Sequence, residues 1–521
     1  MGQGEIPRLQ IEQGCDGMFV LEKIREYAKS DKTAVIYREK SMSYAELEAR
    51  SDAFAAYLLD TFGDDRTPVV IYGHKEMDFL PCMYGALKAG RAYVPIDITI
   101  PSDRAGQILD DVMPRLFVDF YGIDIGKREG FTRLDSGSLS DVIGKYRGMG
   151  VPRENWVKPE DDCYILFTSG STGKPKGVPI SRRNIENLEW QITKWCDLGG
   201  DIILNQISYS FDVSVISVYI GISLGKTLFS IDKAMVENMR ELFDRFGRSN
   251  LAFWVSTPSF AEMCSVSSLF DDKLLPKLTR FLFCGETLTR KLVDELNTRF
   301  PACSVVNTYG PTESTVLVTA VEVTREMAES ELSIPIGYPL EEVEFRIVKE
   351  DGKPALSCET GELLIVSDSV GRGYYKRDDL TQKSFFETTS RGKTTRGYRT
   401  GDECFEKDGL YYYCGRMDFQ IKINGFRVEI EDVENNLGKV SNIVRAIVLP
   451  VYEGEKVSYL AAFVLLKEKS KLSNLKESLR IKEELKEYLP SYMIPRRILF
   501  VESFPVNTNG KADRKQLASL L

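Results

Sequence analysis

Apolar residues recur along the first two thirds of the chain in two alternating rhythms. Ser43 followed by Glu46 forms a capping box ahead of Leu47, Phe54 and Leu58, which share one helical face, and this predicts a helix over about Tyr44 to Leu59. The short apolar runs Val69 to Tyr72 and Tyr164 to Thr168 predict buried strands with helical stretches between them, the pattern of α/β layers. Two more runs, Leu251 to Ser256 and Phe281 to Phe283, lead into the turns TPSF and CGE, and loops at strand ends are where such sheets bind ligands. The stretch Val213 to Leu224 is interrupted by Ser, Tyr and Gly and falls short of the ~20 apolar residues needed to cross a bilayer.

After about Pro335 the pattern changes to short alternating strands with Gly turns, as in GELLIVSDSVGRGYY (Gly361 to Tyr375) and GLYYYCGR (Gly409 to Arg416), and predicts a small β-rich subdomain. Beyond Asp418 come IKINGFRVEIEDVE, strands near Ala446 to Leu449 and Leu460 to Leu466, and a Lys/Glu-rich helix over about Leu472 to Tyr488. Leu475, Leu479, Ile481 and Leu485 are expected to form the buried face of that otherwise solvated helix. The expected fold is α/β, with a large N-terminal domain of layered α/β subdomains plus the β-rich subdomain over residues 1–417, then a small α+β C-terminal domain over 418–521.

Composition removes several function classes. The 68 Lys and Arg against 77 Asp and Glu give a net charge of −9, which lacks the basic footprint of a nucleic-acid binder. His74 is the single histidine, so zinc sites and histidine-assisted Ser or Cys nucleophiles are disfavoured. It follows the Val69 to Tyr72 strand and reads as a structural loop residue. The ten cysteines form no CxxC pair and fit reduced thiols. The opening residues show no basic-then-apolar signal, and Ile6 stands where myristoylation wants Ser or Thr, so a cytoplasmic protein without stable membrane insertion is expected.

The segment FTSGSTGKPKGV, Phe167 to Val178, places the hydroxyls of Thr168, Ser169, Ser171 and Thr172 around Gly170 and Gly173 directly after a strand. Glycines let backbone N–H groups converge on anionic oxygens, hydroxyls add donors, and Lys174 or Lys176 neutralises charge, as a phosphate cradle requires. Counting on from Gly170 puts Pro175 where a P-loop needs its second Gly, so the string does not match a P-loop and ordinary nucleotide-hydrolase mechanics are disfavoured. Alone, the loop leaves kinase-like and ligase-like readings open.

This segment resembles the phosphate loop of the adenylate-forming superfamily of acyl-CoA synthetases, luciferases and peptide-synthetase adenylation domains. LKAGRAYVPID (Leu87 to Asp97), NTYGPTE (Asn307 to Glu313), YRTGD (Tyr398 to Asp402), GRMDFQIKINGFRVE (Gly415 to Glu429) and NGK (Asn509 to Lys511) follow in the family's order, so the resemblance spans nearly the whole chain. It implies ATP and Mg²⁺ as cofactors, with Glu313 holding the metal. Asn307, Thr308, Tyr309, Gly310, Pro311 and Thr312 are expected to line the adenine and α-phosphate, Asp402 to accept from the ribose hydroxyls, and Arg416 to donate to phosphate or ribose, beside Tyr413, Cys414 and Gly415. Lys511 would bridge the substrate carboxylate and α-phosphate, and Asp418 would be the hinge about which a mobile C-terminal domain exchanges adenylation for thiol transfer.

The strings YSFDVSV, WVSTPSF and FCGETL are more finely similar to D-alanine:carrier-protein ligases, cytoplasmic enzymes that supply D-alanine for teichoic-acid esterification. The resemblance implies that Asp212 pairs with the substrate α-ammonium and that Cys284 and Val316 abut its methyl group. Read without it, Asp212 fits a helix N-cap and Cys284 a buried strand-end thiol. No Ser-bearing carrier helix follows Lys511, so the phosphopantetheinylated carrier is expected to be a separate protein. Alternatives are adenylation of another small amino acid, acyl-CoA synthesis, and a silent nucleotide-binding regulator.

Overall fold

A computed structural model describes residues 19–170, 174–195, 199–418, 420–423, 425–454, 456–505 and 514–521. The large N-terminal domain holds a nine-stranded and a six-stranded sheet, both mostly parallel at their centres. Strand alternation sorts their side chains into layers. Val69 and Ile71 of the strand Val69–Gly73 face a core shared with the helices Tyr44–Phe62 and Phe79–Lys88, whereas Val70 and Tyr72 face the helix Ser102–Val112. In Phe253–Ser256, Phe253 and Val255 enter the same shared core, and Trp254 packs on the opposite face against Phe246, Phe260 and Phe281. Helices therefore lie between and outside the two sheets, and strand ends from both converge on one edge.

The capping box forms as expected. Glu46 N–H donates to Ser43 Oγ at 3.1 Å, and Ser43 N–H to Glu46 Oε2 at 3.0 Å, opening a helix that continues to Phe62. Ser43→Ala is expected to weaken this start by about 1 kcal/mol, read as roughly fivefold faster amide exchange over Tyr44 to Glu46. The apolar stretch near Val213 is a fully buried helix with a π-helical segment at Ile216–Gly221, and among the described residues no helix is long and apolar enough to cross a membrane.

The β-rich subdomain is a five-stranded antiparallel sheet from Glu344–Val348 to Leu410–Arg416, and its Leu363, Ile365 and Tyr398 join the shared core. The small C-terminal domain has its own core around Val433, Val448, Ala462 and Ile481, built on the hairpin Gln420–Ile423/Phe426–Glu429 and a three-stranded sheet. Its charged helix, Asn474–Leu485, corrects the expected apolar face. Leu475 and Leu479 are 71% and 57% exposed, and the buried row is Glu477, Ile481 and Leu485 at four-residue spacing. Glu477 tolerates that position because Arg480 and Ser470 donate to its carboxylate at 2.7 and 2.8 Å.

Candidate active site

The phosphate-loop candidate begins where the strand Asp162–Thr168 ends. Gly170 is required there: a Cβ would fall 2.3 Å from the carbonyl oxygen of Lys174. Thr168 Oγ1 is buried with no hydrogen-bond partner among the described residues, and Lys176 Nζ lies 3.9 Å from Glu313 and 3.8 Å from Glu429. Burial first, then the neighbouring Arg427 charge, lowers the Lys176 ammonium to about 8. Ser171 and Thr172 lie outside the described residues. Gly170→Ala is expected to raise the KM for ATP about tenfold with the amino-acid KM unchanged, since a displaced loop misplaces only the phosphates.

Next to the loop lies a cavity of about 360 Å³ lined by Lys174, Lys176, Arg377, Lys383, Arg416 and Arg427, with Glu362, Asp418 and Glu429 among the acidic groups. Asp402 is buried beside Arg416 and lines a second, narrower cavity. Tyr309 Oη donates to one carboxylate oxygen, and Arg416 Nη1 to the other at 2.7 Å. Arg416 also forks onto Asp418, at 2.9 and 2.5 Å. Asp418 N-caps the next turn by accepting from Gln420 N–H at 3.0 Å. Tyr413, Cys414 and Gly415 precede Arg416 on the same strand and line none of the cavities described here.

The strand Ser304–Tyr309 and the turn after it carry the NTYGPTE string. Asn307 Nδ2 donates to Pro335 O at 2.8 Å and Thr308 Oγ1 to Phe283 O at 2.8 Å, so these two side chains brace the turn. Gly310 allows it to close: a Cβ there would lie 2.5 Å from Leu317 Cα. Thr315 and Val316 both have positive φ, 62° and 73°, and Leu317 N–H donates back to Thr315 O at 2.9 Å, a γ-turn that is strained for two β-branched residues. Such strain is concentrated at functional sites. Here it aims the Val316 carbonyl at Cys284, whose Sγ donates to it at 3.7 Å. Burial pushes the Cys284 thiol up to about 11, so it stays neutral.

Asp212 lines a second, narrow cavity of about 40 Å³ with Cys284, Gly285, Tyr309, Thr312 and Lys422. That is room for a few waters, or for a small molecule's polar end. Thr312 Oγ1 donates to Asp212 Oδ2 at 2.6 Å, and the following helix begins two residues later, so the carboxylate points at the cavity wall. Burial raises it to about 6 against the opposing effects of Thr312 and Lys422.

Glu313 is the most enclosed carboxylate of the site. Tyr374 Oη donates to Oε1 at 2.7 Å, and Arg427 Nη1 donates to Oε1 at 2.8 Å and Oε2 at 2.7 Å. Burial favours its protonation, but the charges of Arg427 and Lys176 outweigh that and hold it at about 2. In this arrangement both oxygens are taken by donors, and no cluster of three acidic, His or Cys groups suited to a metal occurs among the described residues. The residues as placed do not fit Mg²⁺. Lys511 lies outside the described residues.

Sequence reasoning singled out Glu313 and Asp212 but missed Tyr374 and Arg427 beside the first and Lys422 near the second. The alternation of the hairpin held the signal: Ile421, Ile423 and Val428 are buried, whereas Lys422 and Arg427 pair directly across the strands on the other face. His74 is structural, as expected, its Nδ1 lying 2.7 Å from buried Asp97. The eight described cysteines are all unpaired.

A nucleotide-sized charged cavity at the strand ends of a layered α/β domain, closed by a small second domain, defines an adenylate-forming type of enzyme. The chain matches the AMP-binding enzyme family over residues 23–375 and the AMP-binding enzyme C-terminal domain over 432–511, and belongs to that family. Among its curated relatives, the D-alanine–D-alanyl carrier protein ligase of Bacillus cytotoxicus is 39% identical over 505 residues, covering 96% of this chain and 99% of the relative. The protein of the same name from Bacillus cereus is 39% identical over 506 residues, with the same coverage. The fold is also shared with the Vibrio cholerae adenylation domain AlmE in complex with glycyl-adenosine-5'-phosphate, at TM-score 0.78 and 22% identity over 99% and 100% of the two chains. An artificially fused adenylation–carrier di-domain, NpsA-ThdA of Klebsiella oxytoca, superposes at TM-score 0.79 with 22% identity over 92% and 93%.

Proposed function

We propose that this protein is a cytoplasmic enzyme that activates D-alanine with ATP as D-alanyl-adenylate and then transfers the aminoacyl group to the phosphopantetheine thiol of a separate carrier protein, which supplies D-alanine for the D-alanylation of teichoic acids. The observation that carries the reading is the narrow cavity whose wall includes the buried Asp212 carboxylate and Cys284, the thiol of which donates to the carbonyl of the strained Val316. An α-ammonium needs a buried counter-charge, which a fatty or aryl acid does not, and the wall leaves little room beyond a methyl group. The near full-length likeness to D-alanine–D-alanyl carrier protein ligases supports the same substrate.

In the first half-reaction the substrate carboxylate oxygen attacks the α-phosphorus of ATP, forming the acyl–phosphate bond as the bond to pyrophosphate breaks. Lys176, Arg416 and the loop hydroxyls neutralise the phosphates, Asp402 and Tyr309 position the ribose, and Lys511 enters from the small domain. Mg²⁺ accompanying ATP would reach Glu313 only with Arg427 withdrawn. In the second half-reaction the carrier thiolate attacks the carbonyl carbon and AMP leaves. Asp418, with its carboxylate locked on Arg416, is the proposed hinge between residues 1–417 and 418–521.

Exchange of radiolabelled pyrophosphate into ATP, compared across D-alanine, L-alanine, glycine, D-serine and a fatty acid, tests the reading. D-alanine is expected to dominate. Exchange with the fatty acid alone would remove the amino-acid reading, and a preference for L-alanine would remove the role of Cys284 and Val316.

A further inference from the structure

The charged helix Asn474–Leu485 turns its leucines away from the small-domain core. Leu475 and Leu479 lie four residues apart on one exposed face, and Leu472, 43% exposed, stands just ahead of the N-cap Ser473. Ile481 and Leu485 on the opposite face pack into the core, so the leucines form an outward ridge. One exposed leucine is ordinary, whereas neighbours on a single ridge mark a contact surface. Charge surrounds this ridge unevenly. Residues 467–486 hold six lysines and one arginine against four glutamates, in a chain of net charge −9. Two of the glutamates are engaged within the domain, Arg480 donating to Glu477 and to Glu484 at 2.7 Å each. Lys486 pairs with Glu483, and Lys482 donates to Arg496 O at 2.7 Å. Lys469, Lys471 and Lys476 make no side-chain hydrogen bond or ion pair among the described residues, and the last two each adjoin an exposed leucine in sequence.

Protein interfaces place Tyr, Trp and Arg at their centres, are poor in Lys, and seldom draw their affinity from Leu. This ridge has the reverse make-up, leucines and lysines with no aromatic ring anywhere in residues 467–486. Such a composition suits a helix lying in the plane of an anionic lipid surface, its apolar side chains among the acyl chains and its ammonium groups at the headgroups. We propose that the small domain docks reversibly on membranes rich in anionic lipid, with Leu472, Leu475 and Leu479 entering the interface and Lys469, Lys471 and Lys476 meeting the headgroups. The attachment is peripheral, since among the described residues no helix is long and apolar enough to cross a bilayer. Membrane binding through one weak signal is marginal, so the leucines and the lysines are both needed. The docking goes beyond the activity proposed above and stands whichever acid the site activates.

The test sediments the full-length protein with vesicles of phosphatidylglycerol and phosphatidylcholine in equal parts, and with vesicles of phosphatidylcholine alone, at about 0.1 M salt. Binding to the anionic vesicles is expected to be at least about tenfold tighter, and to be lost at about 1 M salt, where charges are screened within a few ångströms. Leu475→Ser with Leu479→Ser is expected to weaken it at least about tenfold. Lys471→Gln with Lys476→Gln should weaken it about 25-fold, each lysine near an anionic surface being worth about fivefold. Both double variants change exposed residues away from the nucleotide cavity, so pyrophosphate exchange should stay near wild type and report that they fold. Equal binding to the two kinds of vesicle, binding to neither, or binding unchanged in both variants overturns the proposal. A dimer in sedimentation velocity that Leu475→Ser with Leu479→Ser dissolves also overturns it, because the ridge then faces a second copy of the chain.

Discussion

Asp212→Asn is expected to abolish nearly all amino-acid-dependent pyrophosphate exchange while leaving nucleotide binding intact. The carboxylate is buried, faces a cavity of about 40 Å³, and has Thr312 as its hydrogen-bonding neighbour. Asparagine keeps the size and a hydrogen bond to Thr312 but leaves the substrate ammonium buried without a counter-charge. Removing one partner of such a pair costs about 2–5 kcal/mol, roughly 30- to 5,000-fold in kcat/KM for the amino acid. Wild type carries a further signature. Burial raises Asp212 to about 6, and only its ionised form pairs with an ammonium, so substrate affinity should be full above that value and fall as pH drops through it. The expected amino-acid KM at pH 5 is about tenfold that at pH 7, and the ATP KM should not follow. A KM that is flat with pH, or an asparagine variant with undiminished exchange, would show that Asp212 does not bind the ammonium.

The layered core was legible in the sequence because strand period and helix period are local signals, and Ser43–Glu46, Val69–Gly73 and Asp162–Thr168 each announce themselves within a few residues. What could not be read was which side chains meet across the two domains. Arg427 and Glu313 are more than a hundred positions apart, and no local rhythm marks a buried ion pair. The Asn474–Leu485 helix failed for a related reason: leucines at 475 and 479 look like a buried row, but packing selected the row through Glu477, whose charge is satisfied only by partners folded beside it. The strain at Thr315 and Val316 was invisible as well, since nothing in their residue types predicts a left-handed pair.

Arg104→Met is expected to separate the two half-reactions. Arg104 lies on the large-domain helix Ser102–Val112 and Asp432 on the small-domain helix Ile430–Leu437; their Nη1 and Oδ2 atoms are 2.9 Å apart, with side chains 7% and 0% exposed. Asn436 Nδ2 donates to the other Asp432 oxygen at 2.9 Å, so the carboxylate is fully engaged only while the domains meet in this way. With Ser169 and Glu313 both held by the hairpin, this orientation is the one that the proposed function assigns to the second half-reaction. A methionine at 104 leaves Asp432 charged and buried in this orientation, a penalty of about 3 kcal/mol that the other orientations escape by exposing it. Transfer to a carrier thiol should fall roughly a hundredfold while pyrophosphate exchange stays near wild type. Arg104→Met with Asp432→Leu removes both charges, and because apolar replacement of a whole buried pair is often close to neutral, most of the transfer rate should return. Equal slowing of both half-reactions, or no recovery in the double variant, would mean the pair supports the fold as a whole instead of one orientation of its domains.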